Sequence, residues 1–156
     1  MRTFERSLPM SLLKAREAVM KKFIPHLRAH DLSPQQWRVL RALYDSPAGL
    51  EMSALSERCF LLMPSLSRII QNLAARELVM RRIAEHDQRC SIISLHAQGR
   101  RLVELMAPES EARYAHITTV FGYGKLELLY ELLDELVEKL EAAEQEHHPS
   151  SHELLD

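Results

Sequence analysis

Apolar residues recur along most of the chain at steps of three and four positions, which places them on one face of an α-helix. Six segments show this pattern: Leu8 to Ala29, Ser33 to Tyr44, Glu51 to Cys59, Leu62 to Leu78, Ala97 to about His116, and Lys125 to Ala143. Two short β-like runs, Val79 to Ala84 and Cys90 to Leu95, stand between the fourth and fifth segments around a polar turn. The pattern predicts a mainly helical chain with one small β-hairpin.

The fourth segment combines a regular apolar stripe with a polar face. Its apolar positions are Leu66, Ile69, Ile70 and Leu73. Its other face carries Ser65, Ser67, Arg68, Gln71, Asn72 and Arg76. Side chains of these types hydrogen-bond base edges and phosphates. Taken alone, this helix is equally well explained as an ordinary surface helix with a solvated face.

The neighbours of this helix favour the nucleic-acid interpretation. The short helix ending at Cys59 precedes it by a few residues, and two helices joined so closely form a helix-turn-helix. The Arg-flanked hairpin that follows is typical of a winged helix. The fold class expected is therefore a winged helix-turn-helix domain with a helical dimerisation region, mainly α with a small β-wing.

Charge is distributed unevenly along the chain. Residues 58–101 contain eight Arg, no Lys and three acids, a formal charge of about +5, whereas residues 125–156 contain two Lys and ten acids, about −8. The net charge of −2 conceals this difference. A local positive field favours a polyanionic partner, because release of phosphate counterions supplies much of the affinity for nucleic acid.

The remaining composition argues against several other classes of protein. Only four Gly are present, with no phosphate-binding glycine pattern, and no catalytic constellation appears, so neither an enzyme nor a cofactor is expected. Cys59 and Cys90 lack the short spacing of a zinc site. His147, His148 and His152 are more simply a polar tail than a metal site. Without a signal-peptide pattern or membrane-length apolar run, the chain is expected to be cytoplasmic and not membrane-bound.

The first and last helices are predicted to pair two subunits. The first has an apolar stripe wider than one small domain usually covers, and the last is an amphipathic helix far from the polar-faced helix in sequence. Pro25 is expected to kink the first helix or shorten its last turn. The division expected is 1–32 for dimerisation, 33–96 for the winged domain, 97–145 for further dimerisation helices, and 146–156 for a flexible tail.

The run PSLSRIIQNLAARELVMR, followed by Asp87-Gln88-Arg89 and Leu95-His96-Ala97-Gln98-Gly99, resembles the MarR-type winged-helix regulators. The resemblance implies that Asp87 steadies the wing and that Arg89 reaches the minor groove. The DNA-binding residues it implies are Ser65, Ser67, Arg68, Gln71, Asn72, Arg82, Asp87 and Arg89. Two positions depart from the family pattern: Glu77 replaces a Gly after the polar-faced helix, and His96 replaces a capping Thr. The first is expected to alter that helix end, and the second to weaken the start of the next helix.

A narrower resemblance covers SLPMSLLKAREAVM and FIPHLRAHDLSPQQWRVLRAL, which are similar to the subgroup that represses operons for homoprotocatechuate (4-hydroxyphenylacetate) breakdown. It implies a small aromatic acid as effector. Such a ligand needs a cation for its carboxylate and apolar walls for its ring. From the residues alone Arg16 is better explained as a solvated side chain paired with an acid; the resemblance makes it the first candidate for the carboxylate. The ligand-binding residues expected are Arg16, Trp37, Ser7, His26, Arg38 and Arg41, although His26 is equally explained as a structural residue.

Together these features predict a homodimer that binds an inverted-repeat operator in double-stranded DNA and is released by an aromatic carboxylic acid. Two alternatives stay open. One is a MarR-type regulator of another phenolic or oxidant response, with Cys59 or Cys90 as the sensing thiol. The other is a protein-interaction module that uses the acidic last helix as its contact surface.

Overall fold

The computed structural model describes residues 3–146, so the tail with His147, His148 and His152 lies outside the described residues. After a 3₁₀ turn (Phe4–Arg6), the elements in chain order are α1 (Leu8–Ala29), α2 (Pro34–Tyr44), β1 (Leu50–Glu51), α3 (Met52–Cys59), α4 (Met63–Ala75), β2 (Val79–Ile83), β3 (Ser91–Leu95), α5 (Ala97–Phe121) and α6 (Tyr123–Glu146). The predicted fold class, mainly helical with a small sheet, is confirmed. The chain divides into two compact units after Arg113.

The helix starts follow from local capping. Ser33 accepts a hydrogen bond from the backbone N–H of Gln36 (3.1 Å), and the Gln36 side chain accepts one from the Ser33 N–H (2.9 Å), so the two residues form a capping box. Ser7 caps α1 by accepting from the N–H of Met10 at 3.4 Å. Pro25 does not end α1, which continues to Ala29.

The sheet has three antiparallel strands in the order β1-β3-β2. The hairpin of β2 and β3 pairs Val79 with Leu95 and Arg82 with Ile92. The sequence places Glu51 at the start of the third helix, but Leu50 and Glu51 pair with Ile93 and Ile92 before α3 begins. A two-residue strand is too short to have a periodicity of its own, and its pairing depends on a partner about forty residues away.

The core of the first unit is built from the apolar faces of α2, α3 and α4 and one side of β3. Fully buried side chains from these elements include Leu40, Leu43, Leu55, Leu66, Leu73 and Ile93. Burying one such side chain stabilises the fold by about 1.5–3 kcal/mol. Helix α4 is therefore fixed through its apolar face, and its other face is left to solvent.

The end of α4 follows the family pattern despite its unusual residue. Glu77 takes the left-handed conformation (φ 57°) usually left to Gly, and the N–H of Leu78 donates to the Leu73 carbonyl at 2.9 Å. The expectation that this helix end would differ is therefore wrong. The core contacts of Leu73 and Leu78 outweigh a conformational cost of about 1 kcal/mol at Glu77.

The start of α5 is well defined as well, contrary to expectation. Nδ1 of His96 accepts a hydrogen bond from the N–H of Gln98 at 3.2 Å, so the imidazole does the capping work of a hydroxyl. The N–H of His96 donates to the Leu78 carbonyl at 3.0 Å. A methyl group at Gly99 would lie 2.0 Å from the same carbonyl oxygen, so only Gly allows this approach.

The last two helices are longer than the sequence suggested. The fifth runs to Phe121 instead of about His116, and α6 spans Tyr123–Glu146 instead of Lys125 to Ala143. Gly122, with φ 102°, separates them. The apolar side chains of α6 are largely exposed, including Leu128, Leu129, Tyr130, Leu132, Val137 and Leu140.

Candidate nucleic-acid interface

The polar face of α4 is open to solvent over its whole length. Leu66, Ile70 and Leu73 are buried, and this orientation turns the intervening positions outward. The exposed side chains are five of those for which the family resemblance implies DNA binding: Ser65, Ser67, Arg68, Gln71 and Asn72. They supply hydroxyl, guanidinium and amide groups, which donate to and accept from base edges. We call this set the α4 polar face.

Two contacts shape the C-terminal end of this face. The Gln36 amide donates to Oδ1 of Asn72 at 2.9 Å, which fixes the amide of Asn72 with its nitrogen directed away from Gln36. Arg76, placed on the polar face by its sequence position, is directed elsewhere. Its guanidinium donates to the carbonyls of Asp31 (2.8 Å) and His30 (3.2 Å). Arg76 therefore ties α4 to the turn before α2 and is not free for a ligand.

The wing turn is organised by Asp87. Its Oδ1 accepts from the backbone N–H of Arg89 at 2.9 Å, and its two oxygens accept from the Arg89 guanidinium at 3.2 and 3.3 Å. These bonds, the backbone bond most of all, hold the pKa of the Asp87 carboxyl below its ordinary value. The Arg89 side chain is 91% exposed. The turn thus presents one cation on a hydrogen-bonded loop.

Arg81, rather than Arg82, lies beside α4. Side chains alternate along a strand, and Arg81 shares the face of Val79 and Ile93, which points toward the core. Arg82 lies on the other face and donates to the Ala48 carbonyl at 3.5 Å. The sequence reasoning named Arg82 and not Arg81, although counting alternate residues from the buried Val79 places Arg81 on the side of the strand that faces α4.

One cleft of about 270 Å³ joins the wing to α4. Its lining includes Ser67 from α4, Arg81 from β2 and Arg89 from the wing turn. The guanidinium of Arg81 is oriented by a bond from its Nε to the Ser91 hydroxyl at 2.9 Å. Two cations beside a helix that carries hydrogen-bonding groups form a surface suited to a phosphate backbone and its bases.

The candidate effector residues are placed as follows, beginning at the N-terminal helix. Arg16 is exposed and its guanidinium pairs with Glu17 at 2.9 Å. Ser7 serves as the α1 cap. Trp37 is half-buried on α2. Arg41 lies on the same helix, 3.9 Å from Asp45 and with its guanidinium carbon 5.6 Å from the centre of the Tyr44 ring.

The other two effector candidates, His26 and Arg38, contact residues of a different helix. His26 is buried, with Nδ1 3.0 Å from a Glu109 carboxylate oxygen and Nε2 3.3 Å from the Met106 carbonyl. The Arg38 guanidinium donates to the Cys59 carbonyl at 2.6 Å, and the Cys59 thiol donates back to the Arg38 carbonyl. Both side chains therefore already connect helices, α1 to α5 and α2 to α3.

Both thiols have a raised pKa. Burial raises the pKa of Cys59, partly offset by Arg38 and Arg58. At Cys90 desolvation acts first, and the carboxylates of Asp87 and Glu51 add to it. Since the thiolate is the reactive species, neither environment activates a thiol toward oxidants.

Comparison with known proteins gives a consistent result. The MarR family model matches residues 30–89. The homoprotocatechuate degradative operon repressor of Escherichia coli is 37% identical over 131 residues, which cover 84% of this chain and 88% of that protein. The crystal structure of the transcriptional regulator PA4135 has a TM-score of 0.81 at 37% identity, over 85% of this chain and 96% of that one. NadR in complex with 4-hydroxyphenylacetate has a TM-score of 0.79 at 34% identity, over 88% and 99%. Within residues 3–146, no helix is long and apolar enough to cross a membrane.

Proposed function

The chain belongs to the MarR family. From that premise we propose that it is a dimeric repressor that binds a palindromic operator and is released from it by a small aromatic acid. The observation that carries the DNA-binding part is the cleft in which Ser67, Arg81 and Arg89 meet. In this proposal α4 enters the major groove with its polar face, and the wing carries Arg89 to the adjacent minor groove.

The dimer is supported by apolar side chains that one chain leaves uncovered. On α1 these are Leu8, Leu12, Leu13 and Val19, between 41% and 48% exposed. On α6, Leu132 and Leu140 are 54% and 57% exposed. Surfaces of this kind are typical of subunit interfaces. A twofold axis would set two copies of α4 about 34 Å apart, one helical turn of DNA, so the operator is an inverted repeat.

The effector is inferred from similarity to the Escherichia coli repressor and to NadR bound to 4-hydroxyphenylacetate. Arg16 is the residue we assign to the ligand carboxylate, because its present partner, Glu17, is an exposed neighbour that a ligand can replace. Trp37 supplies an aromatic wall, and Ser7 and Arg41 supply polar groups. His26 and Arg38 would have to leave the contacts described above, so they rank below these four.

Release follows from linkage between the two sites. A ligand that binds one arrangement of the two winged domains more tightly shifts the dimer toward that arrangement. If the arrangement does not fit DNA, the ligand lowers DNA affinity by at most the difference between its binding free energies for the two arrangements. Typical coupling is 1–3 kcal/mol, a change of about 5- to 150-fold in affinity.

DNA recognition is tested with an operator selected by the full-length protein from random duplexes. Replacing Arg68, Arg81 or Arg89 by Ala is expected to weaken operator binding by about 1–3 kcal/mol each in salt-titrated fluorescence anisotropy. Lys125→Ala removes an exposed cation of the second unit and serves as the matched control. Unchanged binding in all three Arg variants would refute the proposed interface.

The effector is tested by a thermal-shift panel of phenylacetates, cinnamates and benzoates, since a ligand that binds the folded state raises the melting temperature. A hydroxylated phenylacetate is expected to give the largest shift. Arg16→Ala is expected to abolish the shift, whereas Arg6→Ala, which removes another exposed cation near the N-terminus, retains it. A panel without any shift would reject the effector class.

A further inference from the structure

Three potential ligand atoms of different kinds meet at the base of the wing, and the proposed function uses none of them. Nε2 of His86 lies 3.1 Å from Oε1 of Glu51. The sulfur of Cys90 completes the group, and all three atoms lie within 4.8 Å of one another. We propose that Glu51, His86 and Cys90 bind a thiophilic divalent cation, Zn²⁺ being the ion that their donor set fits best.

The donor types agree with Zn²⁺ chemistry. Thiolate, imidazole and carboxylate are its usual protein ligands, at about 2.0–2.3 Å from the metal. Tetrahedral bonds of that length put the donors roughly 3.3–3.8 Å apart. The ligand atoms lie within 4.8 Å of one another, so no separation has to shorten by more than about 1.5 Å. The side chain of His86 has room to adjust, because it is 65% exposed. A water molecule would take the fourth position of an open site.

The backbone holds two of the three ligands in place. Glu51 ends β1, where it pairs with Ile92 of β3, and Cys90 immediately precedes β3. The N–H of Cys90 donates to the Asp87 carbonyl at 3.0 Å, which closes the wing turn. His86, at the start of that turn, is positioned by its side-chain contact with Glu51. A metal ion would therefore clamp the turn to the strand that precedes α3.

The local charges balance around a dication. The carboxylate of Glu51 and the thiolate of Cys90 together neutralise the charge of Zn²⁺. Arg81 and Arg89 line the same cleft and oppose a cation, but the guanidinium of Arg89 is already paired with Asp87. The thiolate and imidazole donors favour a borderline-soft cation such as Zn²⁺ over a hard cation that prefers oxygen ligands.

The binding step transfers no electrons. The metal forms bonds to the Glu51 oxygen, the His86 nitrogen and the Cys90 sulfur. The thiol proton passes to solvent, and the contact between His86 and Glu51 is replaced by their shared bond to the metal. One proton is therefore released for each ion bound, in addition to any proton carried by the imidazole.

The effect on the wing rests on the proposed function. Arg89 lies between His86 and Cys90 in the chain, so ligation at both positions restricts the loop that presents it. A wing ordered in advance loses less entropy on DNA. Zn²⁺ is expected to tighten operator binding about fivefold, at the low end of typical coupling between sites.

The site is tested on the metal-free full-length protein titrated with Zn²⁺ in a calorimeter. One ion per chain is expected, and Co²⁺ as a spectroscopic substitute is expected to give the near-ultraviolet absorption of a thiolate ligand. Cys90→Ser and His86→Gln are expected to abolish binding and Glu51→Gln to weaken it. Bound Zn²⁺ should also slow the reaction of Cys90 with a disulfide reagent.

Two control variants separate this cluster from other histidines. His116→Gln changes an exposed histidine of α5, and a combined His147→Asn, His148→Asn and His152→Asn variant removes the histidines of the tail. Both are expected to keep the ion and the Co²⁺ spectrum. Binding that survives Cys90→Ser, or that disappears with the tail histidines, overturns the proposal, as does a protein that takes up no Zn²⁺. These readouts use no DNA, so they stand apart from any failure of operator binding.

Discussion

Helices α4 and α6 have similar apolar stripes in the sequence, but the structure treats them differently. In α4 the stripe is closed within the chain, and Leu66 and Leu73 have no exposed surface. In α6 the stripe stays open, and Leu132 and Leu140 are more than half exposed. Periodicity therefore identifies a face that will be buried but does not identify the chain that buries it. The first stripe is used for folding, and the second is available for assembly.

The largest effect is expected from charging the open stripe. Leu132→Glu places a carboxylate in the proposed interface twice, once from each subunit. Burial of a Leu is worth about 1.5–3 kcal/mol, so the dimer should weaken by about 3–6 kcal/mol. Sedimentation velocity over a concentration series measures this. Glu138→Gln, also exposed on α6, is the control, and an unchanged dimer in Leu132→Glu would place the interface elsewhere.

A substitution in the buried stripe of α4 is expected to reduce the stability of the fold instead of the dimer. Leu66→Ala leaves a cavity in the first unit and is expected to lower the free energy of unfolding by about 2–5 kcal/mol. Urea unfolding should show this loss at every protein concentration. Leu62→Ala, at a side chain that is 78% exposed, should have little effect. A loss that depends on protein concentration would contradict the division between the two helices.

A smaller effect is expected where α4 ends. Glu77→Gly relieves a left-handed residue and should raise the free energy of unfolding by about 0.5–1 kcal/mol, less whatever the 3.3 Å bond from the Gln98 amide contributes. Glu57→Gly, inside α3, should lower it by a similar amount. Urea unfolding of both variants tests whether the free energy of unfolding rises in Glu77→Gly and falls in Glu57→Gly. Destabilisation by Glu77→Gly would mean that the side-chain bond is worth more than the strain.

The smallest expected effect is a difference in reactivity between the two thiols, which involves no change in stability. Burial keeps the pKa of Cys59 above its ordinary value. At pH values below this pKa the thiol stays protonated and reacts slowly with a disulfide reagent. Cys90 is only half-buried and should react first. One fast thiol in the native metal-free protein and two in urea are expected. Two fast thiols would indicate that the first unit opens readily.

Much of the candidate interface could be predicted because its determinants are local. The α4 polar face follows from a 3.6-residue period, and the Asp87 bond to the Arg89 N–H spans two residues. Arg76 was misjudged because its partners are the carbonyls of His30 and Asp31, about 45 residues away. Periodicity gives the direction of a side chain but not the acceptor that it finds.

The contacts of the candidate effector residues were less predictable for the same physical reason. His26 meets Met106 across 80 positions, and Arg38 meets Cys59 across 21. Such pairings depend on how helices pack, which apolar spacing alone leaves open. Resemblance to a family suggested these residues, whereas the geometry shows which of them already have structural partners.

The missing side chain of Gly99 has a mechanical consequence. With no methyl group between them, the first turn of α5 rests directly on the backbone at Leu78, where the wing hairpin begins, and the His96 N–H joins the same carbonyl. The two parts cannot slide past each other without breaking that bond. A tilt of the first turn of α5 is therefore expected to move the start of β2, and with it the wing hairpin, in the same direction.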